Sequence, residues 1–201
     1  MRSAAIYLAH LNPMTRAHES IISTLKQDYN VHVFPVRFIK DGREINTKSF
    51  PFTYEVRKSM VESVFGDSVV VLPDYTFYAP YAKYMPPLLS SRSWELRNQI
   101  MAQIKEEKFV SYTGDKAEQL MLKAYRLKPL KAERLEISAS SVKEELYGQA
   151  VEGCNEDWRD KVPEPVAEII RKNWNIVEKF ARMEDSTKRV MGMKFPKEGY
   201  K

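Results

Sequence analysis

The chain has 201 residues, 43% hydrophobic and 29% charged, the balance of a globular protein able to bury its own core. Lysine and arginine number 32 against 27 aspartates and glutamates, a net charge of +5 with a pI near 9.1, which suits an anionic ligand such as a nucleotide or phosphate ester. A single cysteine, Cys154, excludes an intrachain disulfide and a four-cysteine zinc site, no run reaches the roughly 18 apolar residues of a membrane helix, and residues 1–25 lack a secretory pattern, so a cytoplasmic location is expected.

Residues 3–9 (SAAIYLA) read as a buried strand, and residues 18–27 follow as a helix with Ile21, Ile22 and Leu25 on one face. Residues 30–37 (NVHVFPVR) form a second strand. Residues 38–50 read as a mostly polar loop carrying Lys40, Arg43 and Lys48. A strong helix spans 51–65, with Phe52, Val56, Met60 and Val64 every four residues and Thr53 as its cap. A third strand at 68–72 (SVVVL) leads into a long aromatic and proline-rich loop over 74–91, of the length typical of a lid or binding loop. A helix at 92–105, a fourth strand at 109–112, a helix at 116–124 and a short fifth strand at 134–137 complete the alternation. A helix begins at Ser141, and one long helix is expected over 166–181. The basic segment 183–201 has no clear period and reads as a flexible tail or partner arm.

Strands alternating with helices predict an α/β, Rossmann-like, doubly wound parallel sheet of five strands, with helices on both faces and a C-terminal helical extension. The expected division is residues 1–150 for the α/β part, 151–182 for its C-terminal helices and 183–201 for the tail. Ligands bind such sheets at the carboxyl ends of the strands, which directs attention to the loops that follow them. Two common phosphate loops are absent. No glycines are spaced as G-x-G-x-x-G, and Gly148 with Gly153 is followed by Cys154 and Asn155 instead of Lys and Ser/Thr.

The loop after the first strand reads Ala9-His10-Leu11-Asn12-Pro13-Met14-Thr15-Arg16-Ala17-His18. Thr15 and His18 are spaced to share one face at a helix start, where exposed amides attract phosphate. The same residues also fit a simple helix cap beside a surface histidine. Further along, Ser138-Ala139-Ser140-Ser141-Val142-Lys143 opens another helix after a strand. Ser141 with Glu144 forms a candidate capping box, Ser140 is a second candidate cap, and Lys143 adds a full positive charge to the first turn. An ordinary capped surface helix is the alternative. Gly114-Asp115 follows the fourth strand, where Asp115 fits either a nucleotide contact or a cap. Arg37, Arg57, Arg92 and Trp94 are candidate substrate contacts. His32 lies inside a strand and reads as structural, and His10 fits either a phosphate contact or a turn network.

The segment N-P-M-T-R-A-H resembles the T/H-x-G-H signature of the α/β nucleotidyltransferase superfamily, with a proline two residues before Thr15. Ala17 stands at the motif's glycine and Ala9 where a glycine often ends the strand. Ile137-Ser138-Ala139-Ser140-Ser141-Val142-Lys143 resembles the superfamily's I-S-x-T-x-I-R motif, with Lys143 replacing arginine and so losing the two-pronged fork. Phe52-Thr53-Tyr54-Glu55-Val56-Arg57 and Trp158-Arg159-Asp160-Lys161-Val162-Pro163 are similar to stretches of archaeal nicotinamide-nucleotide adenylyltransferases.

The resemblance implies transfer of a nucleoside monophosphate from ATP or CTP to a small phosphate monoester, with release of pyrophosphate and NMN as first-choice acceptor. It implies catalytic roles for Thr15, His18 and Lys143, and nucleotide contacts from Asn12, Met14, Asp115, Ser138, Ser140 and Ser141. Mg²⁺ would travel mainly on the nucleotide. Another phosphorylated acceptor, or a catalytically silent nucleotide-binding regulator, are the alternative expectations. The expected partners are an NTP and a phosphorylated small molecule, with no membrane, no nucleic-acid motif, and a homo-oligomer compatible with the family.

Overall fold

The computed structural model describes residues 2–113, 116–130, 138–153 and 157–200. In chain order the elements are β1 (Ser3–Ala9), α1 (Arg16–Asp28), β2 (Tyr29–Pro35), β3 (Arg37–Lys40), β4 (Arg43–Glu44), α2 (Tyr54–Phe65), β5 (Val70–Val71), β6 (Thr76–Tyr78), α3 (Ser91–Ala102), β7 (Phe109–Tyr112), α4 (Lys116–Ala124), α5 (Ala139–Glu152), α6 (Glu164–Lys172), α7 (Trp174–Ala181), β8 (Thr187–Val190) and β9 (Met193–Pro196).

The main sheet has the order β5-β2-β1-β7 and is parallel throughout. Tyr7 lies opposite both Val33 and Tyr112. Strand order therefore reverses at β1, and the crevice outside the carboxyl ends of β1 and β7 is the position where ligands sit in sheets of this kind. The sheet has four strands among the described residues instead of the expected five. The predicted strand 134–137 lies outside the described residues, although one parallel bridge, Ser111 to Pro129, extends the ladder past β7.

Alternation along β1 divides the interior into two cores. Ala5 and Tyr7 face one side with Leu25 of α1, Met60 of α2, Leu146 of α5 and Ile170 of α6. Ile6 and Leu8 face the other with Leu96 of α3, Leu122 of α4 and a group of aromatic rings. A strand buried on both faces is why residues 3–9 read as an apolar run without polar alternation. Among the described residues, no helix is long and apolar enough to cross a membrane.

Three expectations are corrected. Residues 38–50 are not a plain loop: β3 and β4 form a hairpin through Asp41 and Gly42, both at positive φ (50° and 73°) as its tight turn requires. The 74–91 segment is not a free loop, because β6 pairs with β3 in parallel and Tyr75, Phe77, Tyr81 and Tyr84 are buried. The expected single helix over 166–181 is broken at Asn173. Its side-chain amide donates to the Ile169 carbonyl at 2.8 Å, competing with the helical ladder.

The largest departure is the C-terminus. Instead of a flexible arm, β8 and β9 form an antiparallel hairpin turning at Met191 and Gly192. Phe195 is 1% exposed and packs on Phe38, Phe77 and Tyr81 with ring centroids 5.5–6.2 Å apart. The backbone closes the joint, Tyr81 N donating to Gly199 O at 2.8 Å. Burying a phenylalanine this fully contributes about 2–3 kcal/mol. Phe195→Ala is expected to lower stability by about 3–5 kcal/mol in denaturant titrations; an unchanged midpoint would mean that the tail is not part of the core.

Candidate functional site

The turn from β1 into α1 is held from behind. The Asn12 side chain donates from Nδ2 to Phe52 O at 2.9 Å and accepts from Phe52 N at 3.1 Å, so its amide is used in tying the turn to the segment before α2. Leu11 sits at φ 50°, a left-handed conformation uncommon for a branched residue. The Met14 and Thr15 side chains are fully buried. Arg57 braces the same turn: its NH1 donates to His10 O and Val36 O, both at 2.8 Å, its Nε to Thr53 O at 3.3 Å and its NH2 to Glu44 Oε1 at 3.0 Å.

Thr15 N donates to His18 Nδ1 at 3.0 Å, with Thr15 Oγ1 2.9 Å from the same nitrogen. Nδ1 is therefore an acceptor, and the proton of the neutral ring belongs on Nε2. Burial, reinforced by the charge of Lys143, lowers His18 to about 4. At neutral pH it is a neutral imidazole with a fixed Nε2–H donor.

The second turn meets the first through Lys143. Its Nζ donates to Asn12 O at 2.9 Å and to Ala139 O at 3.0 Å. These carbonyls are its hydrogen-bond partners among the described residues, and neither carries a full negative charge. Burial first, then the positive charge of Lys194, pushes Lys143 down to about 8. The helix begins earlier than expected. Ser138, not Ser140 or Ser141, is the cap, its Oγ accepting from Ser141 N at 3.1 Å, while Ser141 Oγ donates back to Ser138 O at 2.9 Å. Ser138 and Ser140 are exposed at this helix start.

His10 completes the cluster. Its ring stacks on Phe50 at 4.7 Å, and Nδ1 is buried without a hydrogen-bond partner among the described residues. Burial and the charges of Arg57, Lys143 and Lys194 lower it to about 3. Lys194 has no sequence signal, because nothing near residue 194 marks it as belonging to a site that starts at residue 10. The cluster is thus positive, with two neutral imidazoles and two ammonium groups gathered beside the turn after β1. An arrangement of this kind favours an oxyanion ligand.

The other candidates lie elsewhere or are engaged. Arg37 stacks over the Tyr54 ring at 4.8 Å beside α2. Arg57 is 2% exposed and spent on the turn, which leaves it a positioning role. Arg92 is exposed and paired with Glu95 at 2.6 Å, and Trp94 donates to Leu88 O and packs edge-on against Tyr125. Both belong to α3, on the face opposite α5. Asp115 lies outside the described residues. Among the described residues, no group of three or more His, Cys, Asp or Glu side chains could hold a metal ion.

No family model and no curated protein matches the sequence. Solved structures do. A bifunctional NMN adenylyltransferase/ADP ribose pyrophosphatase from Francisella tularensis is similar at 15% identity and a TM-score of 0.60, covering 92% of this chain and 51% of that one. A second structure of it, complexed with AMP and a manganese ion, is similar at 13% identity and 0.57, covering 90% and 52%. A Vibrio parahaemolyticus protein assigned as a nicotinate-nucleotide adenylyltransferase is similar at 12% identity and 0.53, covering 89% and 97%. The chain spans about half the length of the Francisella protein. The fold is the Rossmann-like fold of these adenylyltransferases, and at such identities the likeness is one of fold.

The two histidines carry a stability consequence. Each has a folded pKa below its usual 6.5, so the unfolded chain binds more protons between pH 6.5 and about 4. Stability therefore falls as pH drops through that window. In urea titrations from pH 7 to pH 4, His10→Gln/His18→Gln is expected to lose less stability than the wild type; equal losses would remove the histidines from the explanation.

Proposed function

We propose that the protein is a nucleotidyltransferase that transfers a nucleoside monophosphate from ATP or CTP to a small phosphate monoester and releases pyrophosphate, with adenylylation of NMN as the first choice. The observation that carries the reading is the 2.9 Å contact from Lys143 Nζ to Asn12 O, which joins the two motif-bearing turns over one crevice at the switch point of the sheet. The fold likeness to adenylyltransferases supports it.

In this reading the acceptor phosphate oxygen attacks the α-phosphorus in line. A new P–O bond forms, the bond from the α-phosphorus to the bridging oxygen of the β-phosphate breaks, and pyrophosphate leaves with that electron pair. His18 Nε2–H donates to a non-bridging α-phosphate oxygen as charge builds there. Thr15 fixes the ring through Nδ1, so its role is orientation. Lys143 and the amides at the start of α5, with Ser138, Ser140 and Ser141 around them, hold the triphosphate tail. Asn12 and Met14 contribute backbone to the nucleotide site, since their side chains are committed inward. Mg²⁺ brought in with the nucleotide would supply charge neutralisation of the leaving pyrophosphate, since no group of three or more His, Cys, Asp or Glu among the described residues could hold it. The partners are an NTP and a phosphorylated small molecule, and no feature calls for nucleic acid.

Screening four NTPs against NMN, nicotinate mononucleotide and a panel of phosphate esters is expected to release pyrophosphate with at least one pair. His18→Ala is expected to reduce kcat about 10²–10³-fold with the fold intact. Nucleotide binding without pyrophosphate release across the panel would identify a silent binding protein instead.

The pH profile adds an independent check. Triphosphate binding needs protonated Lys143, so kcat/KM is expected to fall above about pH 8. Lys143→Arg, charged at all accessible pH, should remove that alkaline limb; a limb that survives the replacement belongs to another group.

A further inference from the structure

We propose that Lys194, delivered by the C-terminal hairpin, is a polyphosphate-binding residue, so that β8–β9 forms a third wall of the nucleotide site. The inference deepens the nucleotidyltransferase reading and rests on it for the identity of the ligand. Three consecutive residues of the segment before α2 show why the hairpin belongs to the site. Lys48 O accepts from Tyr147 OH of α5 at 2.7 Å, Ser49 Oγ accepts from Lys194 Nζ at 3.0 Å, and the Phe50 ring carries His10 at 4.7 Å. One short segment thus gathers α5, the hairpin and the turn after β1.

The charge on Lys194 is incompletely answered. Asp185, the carboxylate of this corner, accepts from Ser49 Oγ at 2.6 Å, Ser49 N at 3.3 Å and Thr187 Oγ1 at 2.9 Å. Ser49 Oγ thus stands between Lys194 and Asp185. Among the described residues Ser49 is the one hydrogen-bond partner of Lys194 Nζ, which leaves two N–H donors. Lys143 shares the same situation, with two carbonyl partners. Lys143 and Lys194 lie close enough for their charges to act on one another, beside a histidine whose Nδ1 is buried without a hydrogen-bond partner among the described residues. Asp185, engaged by Ser49 and Thr187, acts on both lysines with no hydrogen bond to either among the described residues. A chain of phosphates bridges such a pair with charge-assisted bonds, as a single carboxylate does not.

The hairpin is also built to hold that position. Phe195, the next residue, is locked among aromatic rings, so the backbone that carries Lys194 is already ordered before binding.

The test is calorimetric titration with inorganic tripolyphosphate, which needs no nucleotide or acceptor. Wild type is expected to bind it. Lys194→Gln should bind about tenfold more weakly, Lys194→Arg should retain most of the affinity, and Lys105→Gln, at an exposed position before β7 near the amino ends of the strands, should match the wild type. In turnover assays Lys194→Gln should raise the NTP KM and leave the acceptor KM unchanged. Should the glutamine variant fail to fold, Lys194→Met carries the same comparison. Unchanged tripolyphosphate affinity in the folded variant, or no binding by the wild type, overturns the proposal. Weakened binding without pyrophosphate release from any substrate pair would keep the hairpin site and reject the transferase reading.

Discussion

The ammonium of Lys143 bonds two backbone carbonyls, Asn12 O in the turn after β1 and Ala139 O in its own helix, and on this pair of contacts the geometry of the crevice depends. Carbonyl dipoles satisfy its N–H groups without cancelling its charge. A desolvated cation left in that condition holds a standing field, and that field accounts for much of what surrounds it. It helps burial keep His18 neutral, so the imidazole remains a donor through Nε2 without bearing positive charge. With Arg57 and Lys194 it acts in the same direction on His10. Asp185 and Glu144 oppose that field at Lys143 without reversing it.

Keeping such a field in place requires a rigid frame, and the frame is assembled behind the turn. Asn12 exchanges two hydrogen bonds with the Phe52 backbone, and Arg57 connects His10 O, Val36 O and Glu44 across three segments. The buried ion pair of Arg57 with Glu44 does little for net stability on general grounds, because desolvation offsets the attraction. Its effect is geometric: it fixes where β1 ends relative to the start of α2. A preorganised crevice of this sort spends no energy rearranging when charge develops in it.

The two cores serve different ends. On one face, helices α1, α2, α5, α6 and α7 supply a mainly aliphatic interior, with Trp158 and Phe180 within it, that seats the start of α5 beside the switch point. On the other, aromatic rings from the small sheet, the 74–91 segment and the hairpin interlock. The aromatic core is what brings the distant C-terminus to the crevice. Through Phe195 it converts a basic terminal segment into a wall with a lysine at a defined place.

Sequence alone was enough for the parallel α/β sheet, the strands 3–9 and 109–112, the strand-to-helix turn around Thr15–His18 and a helix start near Ser138–Lys143. These features are local. Apolar periodicity reports burial on one or two faces, and a short polar turn between strand and helix reports itself through residue types that serve as caps. Which serine caps α5 was not readable, because Ser138, Ser140 and Ser141 are chemically equivalent and only the backbone path selects among them. Arg57 looked like a substrate contact because an arginine near a phosphate motif has the right charge, and only its partners show that its donors are taken. The fate of residues 74–91 and 183–201 belonged to the tertiary structure alone. Their aromatic and basic residues follow no helical or strand period, since what orders them is packing against rings far along the chain. Convergence of Lys143 on Asn12, and of Lys194 beside both, is likewise a property of the folded sheet, for no linear pattern encodes a distance between segments joined only through a common core.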